Sequence, residues 1–298
     1  MPYTAEISRA NPSCFLFVID QSGSMRDVVD PKNIQKMETP VFVDGRTYTH
    51  MALGRTKAQG VSDAINRWLR ELVLKCTKDE GPRDYYDVGV IGYGAQVGPA
   101  LGGPLTGREL VSIQEIANSP ARIEDRSKKT DDGKGGLVEQ KIRFPIWFDP
   151  VAENGTPMCQ ALTRAGSILA EWVSQNTSSF PPTVIHITDG ESDDGDPPSA
   201  AEGVRSLATD DGNVFLFNVH LSSQKAAPIE FPDTEVGLPD QYARLLFRIS
   251  SLLPDHIREA ASQAGIPVSD GTRGFSFNAD MVAFINFLNI GTRPGNLR

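Results

Sequence analysis

Four short runs in this chain are apolar at almost every position: residues 14–19 (CFLFVI), 87–93 (DVGVIGY), 183–188 (TVIHIT) and 213–221 (NVFLFNVHL). A strand with one wet face alternates apolar and polar residues, so a run without alternation is covered on both faces. Helical spacing separates these runs. Residues 58–76 place Val61, Ile65, Trp68, Leu69 and Leu72 three and four apart, and residues 157–173 repeat the pattern from Met158 through Trp172. Shorter helical segments are expected at 200–208, 241–252, 256–264 and 280–288, with a weaker fifth strand at 274–278. Strands alternating with helices imply right-handed βαβ units. The expected fold is therefore α/β, doubly wound, with a mostly parallel central sheet flanked by helices.

Two stretches break the rhythm. Residues 26–53 hold two β-prone runs around Asp44-Gly45, a hairpin signal. Residues 96–149 are rich in Gly, Pro and charge, end in a β-like segment at 140–148, and are too long for an ordinary connection. Both are read as insertions, the second packed at one end of the sheet, in a single domain over 1–298 with its core at about 13–290. No internal repeat is evident.

Composition narrows the partners. With 38 acidic against 29 basic side chains the formal charge is −9, and phosphate neutralisation needs the opposite excess, so no nucleic acid is expected. The basic-looking stretch 122–143 interleaves Asp and Glu and reads as a solvated loop. No apolar run approaches the roughly 20 residues that span a bilayer, so no membrane is expected. Cys14, Cys76 and Cys159 are odd in number and form no CxxC pair, which suits a reducing compartment. The first residues show no leader pattern, and a cytoplasmic location is expected.

In open α/β sheets, ligands gather at the carboxyl ends of the strands. The first apolar run ends in Asp20-Gln-Ser22-Gly-Ser24, one carboxylate and two hydroxyls on alternate positions of a turn. The third ends in Thr188-Asp189-Gly190, and Asn154-Gly-Thr156-Pro157 stands at the start of the long helix, with Pro157 expected at the first helical position and Thr156 as its N-cap. Hard divalent cations take oxygen ligands and retain some water. Asp20, Ser22, Ser24, Thr156 and Asp189 could serve one such ion. The affinity would weaken as pH falls toward the ordinary carboxylate value of about 4.

These three elements, FVIDQSGSM at 17–25, GTP at 155–157 and ITDG at 187–190, resemble the metal-ion-dependent adhesion site of von Willebrand factor type A domains. The resemblance covers about 13–290, outside the two insertions. It implies a Rossmann-like fold, with Ser22 and Ser24 bound directly to Mg²⁺ (or Mn²⁺ or Ca²⁺) and Asp20, Asp189 and Thr156 completing or supporting the sphere. It further implies a protein partner that supplies a carboxylate to the open position, and no covalent chemistry. Bacterial cytosolic relatives of the tellurite-resistance type work beside ATPases, kinases or phosphatases, and the same kinds of partner are implied here.

Simpler readings stand beside this one. The D-x-S-x-S turn could be held by local side-chain bonds alone. Glu191, Asp193, Asp194 and Asp196 lack EF-hand spacing and read as a solvated acidic loop. His186 sits inside an apolar run as a core residue, His50, His220 and His256 are scattered, and Cys159 reads as a packed thiol. A competing activity is a Mg²⁺-dependent phosphoryl-transfer hydrolase with Asp20 as nucleophile. The strand-then-Asp arrangement resembles haloacid-dehalogenase-like enzymes, whose pattern needs a second Asp two residues on, where Ser22 stands. A further possibility is that the 96–149 insertion carries the partner surface and the ion only tunes it.

Overall fold

The computed structural model describes residues 3–28, 33–43, 46–131, 137–223, 226–263 and 265–278, with backbone alone at 33–43, 46–53, 128–131 and 137–140. The expected helix at 280–288 lies outside the described residues. The apolar runs become strands β1 (Ser13–Asp20), β2 (Tyr86–Tyr93), β5 (Thr183–Thr188) and β6 (Phe215–His220). Short strands β3 (Val97–Pro99), β4 (Val111–Ser112), β7 (Ile229–Glu230) and β8 (Phe275–Phe277) complete an eight-stranded sheet. Its order is β7-β8-β6-β5-β1-β2-β3, with β4 also paired to β2. The five inner strands run parallel, while β3, β4 and β7 pair antiparallel at the margins.

Among the described residues six helices cover the sheet: α1 (Lys57–Cys76), α2 (Ile113–Asn118), α3 (Met158–Gln175), α4 (Pro197–Arg205), α5 (Gln241–Ile249) and α6 (Asp255–Gln263). Successive side chains of a strand point to opposite faces. Phe15, Phe17 and Ile19 accordingly pack in one cluster with Trp68 of α1, Ile116 of α2 and Ile257 of α6. Cys14, Leu16 and Val18 face the other way, into a cluster with Leu169 of α3, Val204 of α4 and Leu246 of α5. With three helices to each face, the sheet is dry on both sides. That is why its strands read as unbroken apolar runs. No helix among the described residues is long and apolar enough to cross a membrane.

Several boundaries differ from the sequence reading for local reasons. α3 begins at Met158 with Pro157 as N-cap, so Thr156 lies one residue outside the cap position expected of it. α4 starts at Pro197, because proline suits the first helical position, and it stops at Arg205 because Ala208–Thr209 pair with Gly212–Asn213 in a tight hairpin. The stretch 122–143 is no loop: Arg122–Asp131 and Leu137–Ile146 form a ten-rung antiparallel hairpin. The first insertion also forms a hairpin, Asn33–Val43 with Arg46–Leu53, though its expected turn at 44–45 lies outside the described residues. Part of the second insertion joins the scaffold, since β3 and β4 pair with β2 in the main sheet.

Asn66 fixes the return of the long hairpin to the scaffold. It is fully buried in α1, its amide donates to Phe148 O at 2.7 Å, and its Oδ1 accepts the N–H of Trp147 at 2.8 Å and of Phe148 at 3.1 Å. Trp147 in turn donates its indole N–H to Ile116 O. Buried backbone groups need partners, and here a side chain provides what a strand neighbour would.

Candidate metal centre

β1 and β5 are adjacent and parallel, with Ile19 opposite Ile187, so Asp20 and Thr188 end their strands side by side. The Thr188 hydroxyl donates to Asp20 Oδ2 at 2.7 Å, and the Ser22 N–H donates to Oδ1 at 2.8 Å. Asp20 is 1% exposed, and these donors hold it in a single orientation. Beyond it, the Ser22 and Ser24 hydroxyls lie 3.0 Å apart, and the Ser24 hydroxyl donates to Asp189 Oδ1 at 2.8 Å. Two turns that are 165 residues apart in the chain thus share one ring of oxygens.

The third turn is seated by glycine. The loop after β1 docks on the end of β2 through Gln21 N–H to Tyr93 O, and Glu153 N–H donates to Gln21 O. Gly155 has φ of +89°, and a Cβ there would lie 3.0 Å from the Gly94 carbonyl oxygen. Both the left-handed backbone and the close approach call for glycine. Thr156 follows, its N–H bound to Asp193 Oδ2 at 2.6 Å, and it lines the same cleft as Ser24 and Asp189. All five sequence-selected residues therefore meet at one end of the sheet.

The donor set suits a small hard cation. Every candidate ligand is oxygen, with the buried carboxylate at the base and Ser24 exposed at the mouth. In an octahedron with bonds of about 2.05 Å, neighbouring oxygens stand about 2.9 Å apart. Ser22, Ser24 and Asp189 are joined by ordinary hydrogen bonds of 3.0 and 2.8 Å, close to that edge, so the oxygens would need to move little to receive an ion. Among the described residues no three His, Cys, Asp or Glu side chains cluster to hold a metal, so any ion here would depend on the hydroxyls.

Burial, with the Asp189 charge next, raises Asp20 to about 6, against the pull of its hydrogen-bond donors. Burial also depresses His186 and His220 to about 4. His186 proves to be the core residue expected: its Nε2 bonds the Tyr93 hydroxyl and its Nδ1 bonds Asn218 Oδ1, both at 2.7 Å. An amide oxygen only accepts, so Nδ1 carries the proton and Tyr93 donates to Nε2. Burial raises the Cys159 thiol, against the lowering that a helix N-terminus would give.

The acidic loop is less solvated than its composition suggested. Asp194 accepts the Cys159 and Gln160 N–H groups at the start of α3, Asp193 holds Thr156, and Glu191 accepts from the Tyr242 hydroxyl. These carboxylates cap a helix and fix a turn. Lys57 was also missed: its ammonium lies 2.8 Å from Asp189 Oδ2 and 3.6 Å from Asp27. A lysine opening an amphipathic helix carries no signal of burial, and nothing in the spacing links it to residue 189.

No protein-family model matches the sequence, and no curated protein matches it. Among solved structures, the vWF domain of the type V pili tip protein Mfa5 from Porphyromonas gingivalis is similar over 96% of this chain and 98% of that chain. The sequence identity is 11% and the TM-score 0.41. A structure of three N-terminal domains of the same tip protein matches 61% of this chain at 14% identity and a TM-score of 0.29. This chain spans 20% of that longer one.

Proposed function

We propose that this chain is a divalent-metal-dependent protein-binding module, with Mg²⁺, or Mn²⁺ or Ca²⁺, held by Asp20, Ser22, Ser24, Thr156 and Asp189. The observation that supports the reading is the ring of Ser22, Ser24 and Asp189 oxygens beside the buried Asp20, with Thr156 lining the same cleft. When bound, the ion would supply a positive charge and an open position for a carboxylate from a partner protein. The chain's own residues provide orientation: Thr188 and the Ser22 N–H hold Asp20, and Asp193 holds Thr156. Ser22 fills the place where a phosphoryl-transfer enzyme of the type considered needs its second carboxylate, which favours binding over catalysis.

The sequence resemblance extends this to a regulatory or scaffold role beside an intracellular ATPase, kinase or phosphatase, as in tellurite-resistance-type systems. Three free cysteines suit that reducing, cytoplasmic setting. Calorimetric titration of the chelator-stripped chain tests the core of the reading. Mg²⁺ should bind the wild type, while Asp20→Ala and Ser22→Ala should abolish binding and leave the circular dichroism spectrum unchanged. Undiminished binding by a folded Asp20→Ala variant would overturn the assignment. Affinity capture from native extract with and without chelator then identifies the partner.

A further inference from the structure

Lys57 is placed against two ordinary preferences. It is the first residue of α1, where the helix dipole disfavours a cation, and only 5% of its side chain is exposed, where an unpaired ammonium is costly. What offsets both is the carboxylate of Asp189, itself 6% exposed, at 2.8 Å. Ser24 occupies the other oxygen of that carboxylate. Both oxygens of a proposed metal ligand are therefore engaged by groups of the protein, one of them a full positive charge.

The ammonium also has a second partner within reach. Asp27 Oδ2 lies 3.6 Å away, and Asp27 is tied to the start of α1 through the Lys57 N–H to Asp27 O bond and the Val28–Thr56 bridge. Asp27 is 47% exposed, so its carboxylate can take the ammonium with little further desolvation.

We infer that Lys57 is a tethered counter-cation of the metal centre: it competes with the divalent ion for Asp189, lowers the affinity of the site, and keeps the oxygen ring assembled when no ion is bound. Asp27 is the alternative berth to which the ammonium shifts. This rests on the proposed metal reading and adds to it a residue that tunes ion affinity. A site without Lys57 would hold its ion more tightly.

The test is a four-member cycle on the full chain: wild type, Lys57→Met, Asp27→Asn and the double variant. Each is stripped with chelator, titrated calorimetrically with Mg²⁺ at neutral pH, and melted in chelator. Lys57→Met should bind Mg²⁺ about tenfold or more tightly than wild type, because one neighbouring positive charge is gone. It should also melt lower in chelator and recover with Mg²⁺. Asp27→Asn should weaken binding several-fold when Lys57 is present and leave it unchanged in the Lys57→Met background. Equal or weaker affinity in a folded Lys57→Met chain, or an Asp27→Asn effect of the same size in both backgrounds, would overturn the inference. If Lys57→Met fails to fold, unchanged or stronger binding by Asp27→Asn alone overturns it. A wild type that does not bind paired with a Lys57→Met chain that does would support it. Absence of binding in every member overturns the metal reading beneath it.

Discussion

A single carboxylate carries most of the chemistry argued above. Asp20 sits at the base of the ring, nearly sealed from water, beside the charge of Asp189, and stands at about 6, where the sequence suggested about 4. The sign follows directly. Above pH 6 the group is ionised and ready for a cation; below it, a proton must leave before an ion can bind. Mg²⁺ affinity is therefore expected to hold steady above about pH 7 and to fall about tenfold per pH unit below 6. Calorimetry across pH 5–8 checks this, and an affinity that stays flat to pH 4 would remove the carboxylate from the site. Because the folded value lies above the ordinary one, the same group destabilises the metal-free chain at neutral pH. That cost disappears as the pH drops through 6 toward 4. Asp20 itself was legible from its place after an apolar run. Its environment was not, since burial and the neighbouring charge arise only when the strands assemble.

Among the elements, legibility followed burial. β1, β2, β5 and β6 were visible because helices cover both their faces, which forces an unbroken apolar run. β3 and β4 were not, because strands of two or three residues at a sheet margin leave no periodic trace. Strand 122–131 was hidden by its charges: Arg122 pairs with Glu124 and Asp149, and Arg126 with Glu124 and Asp63, so a polar run here is a cross-linked ribbon. The join of that ribbon to α1 gives a prediction. Asn66→Leu leaves the N–H groups of Trp147 and Phe148 buried without partners, while the Ser62 hydroxyl still serves the Phe148 carbonyl, and should cost about 3 kcal/mol. For a chain of this length that is roughly 5 °C of melting temperature, measurable by calorimetry. A loss within a degree of wild type would show that water replaces the amide.

For the molecule as a whole, the proposed ion site would couple binding to folding. The turns come from separate parts of the chain and meet only in the folded state, so an ion held there would stabilise the fold by mass action. At a hundredfold excess over its dissociation constant, Mg²⁺ should add about 2.7 kcal/mol. For a chain of this length that is about 5 °C, and the shift should vanish in Ser22→Ala. A shift that persists in that variant would point to an ion bound elsewhere. The placement of the site at the carboxyl ends of the strands was legible from topology alone, because a parallel sheet brings the ends of β1 and β5 together. The clamp of Asp193 and Asp194 on the third turn was not, since a solvated acidic loop and a helix cap share one composition.

The hairpin at 122–146 leaves and re-enters the scaffold at nearly the same point: Ala121 N–H donates to Ile146 O at 2.8 Å, and Gly102 N–H to Trp147 O at 2.7 Å. Its two feet are pinned together and Arg126 pairs with Asp63 of α1, so the ribbon is held to the scaffold at its base. Its outer rungs can be lengthened, trimmed or exchanged with no strain passed to the floor beneath, so the chain could gain a new specificity there by insertion while the rest of the molecule stays as it is.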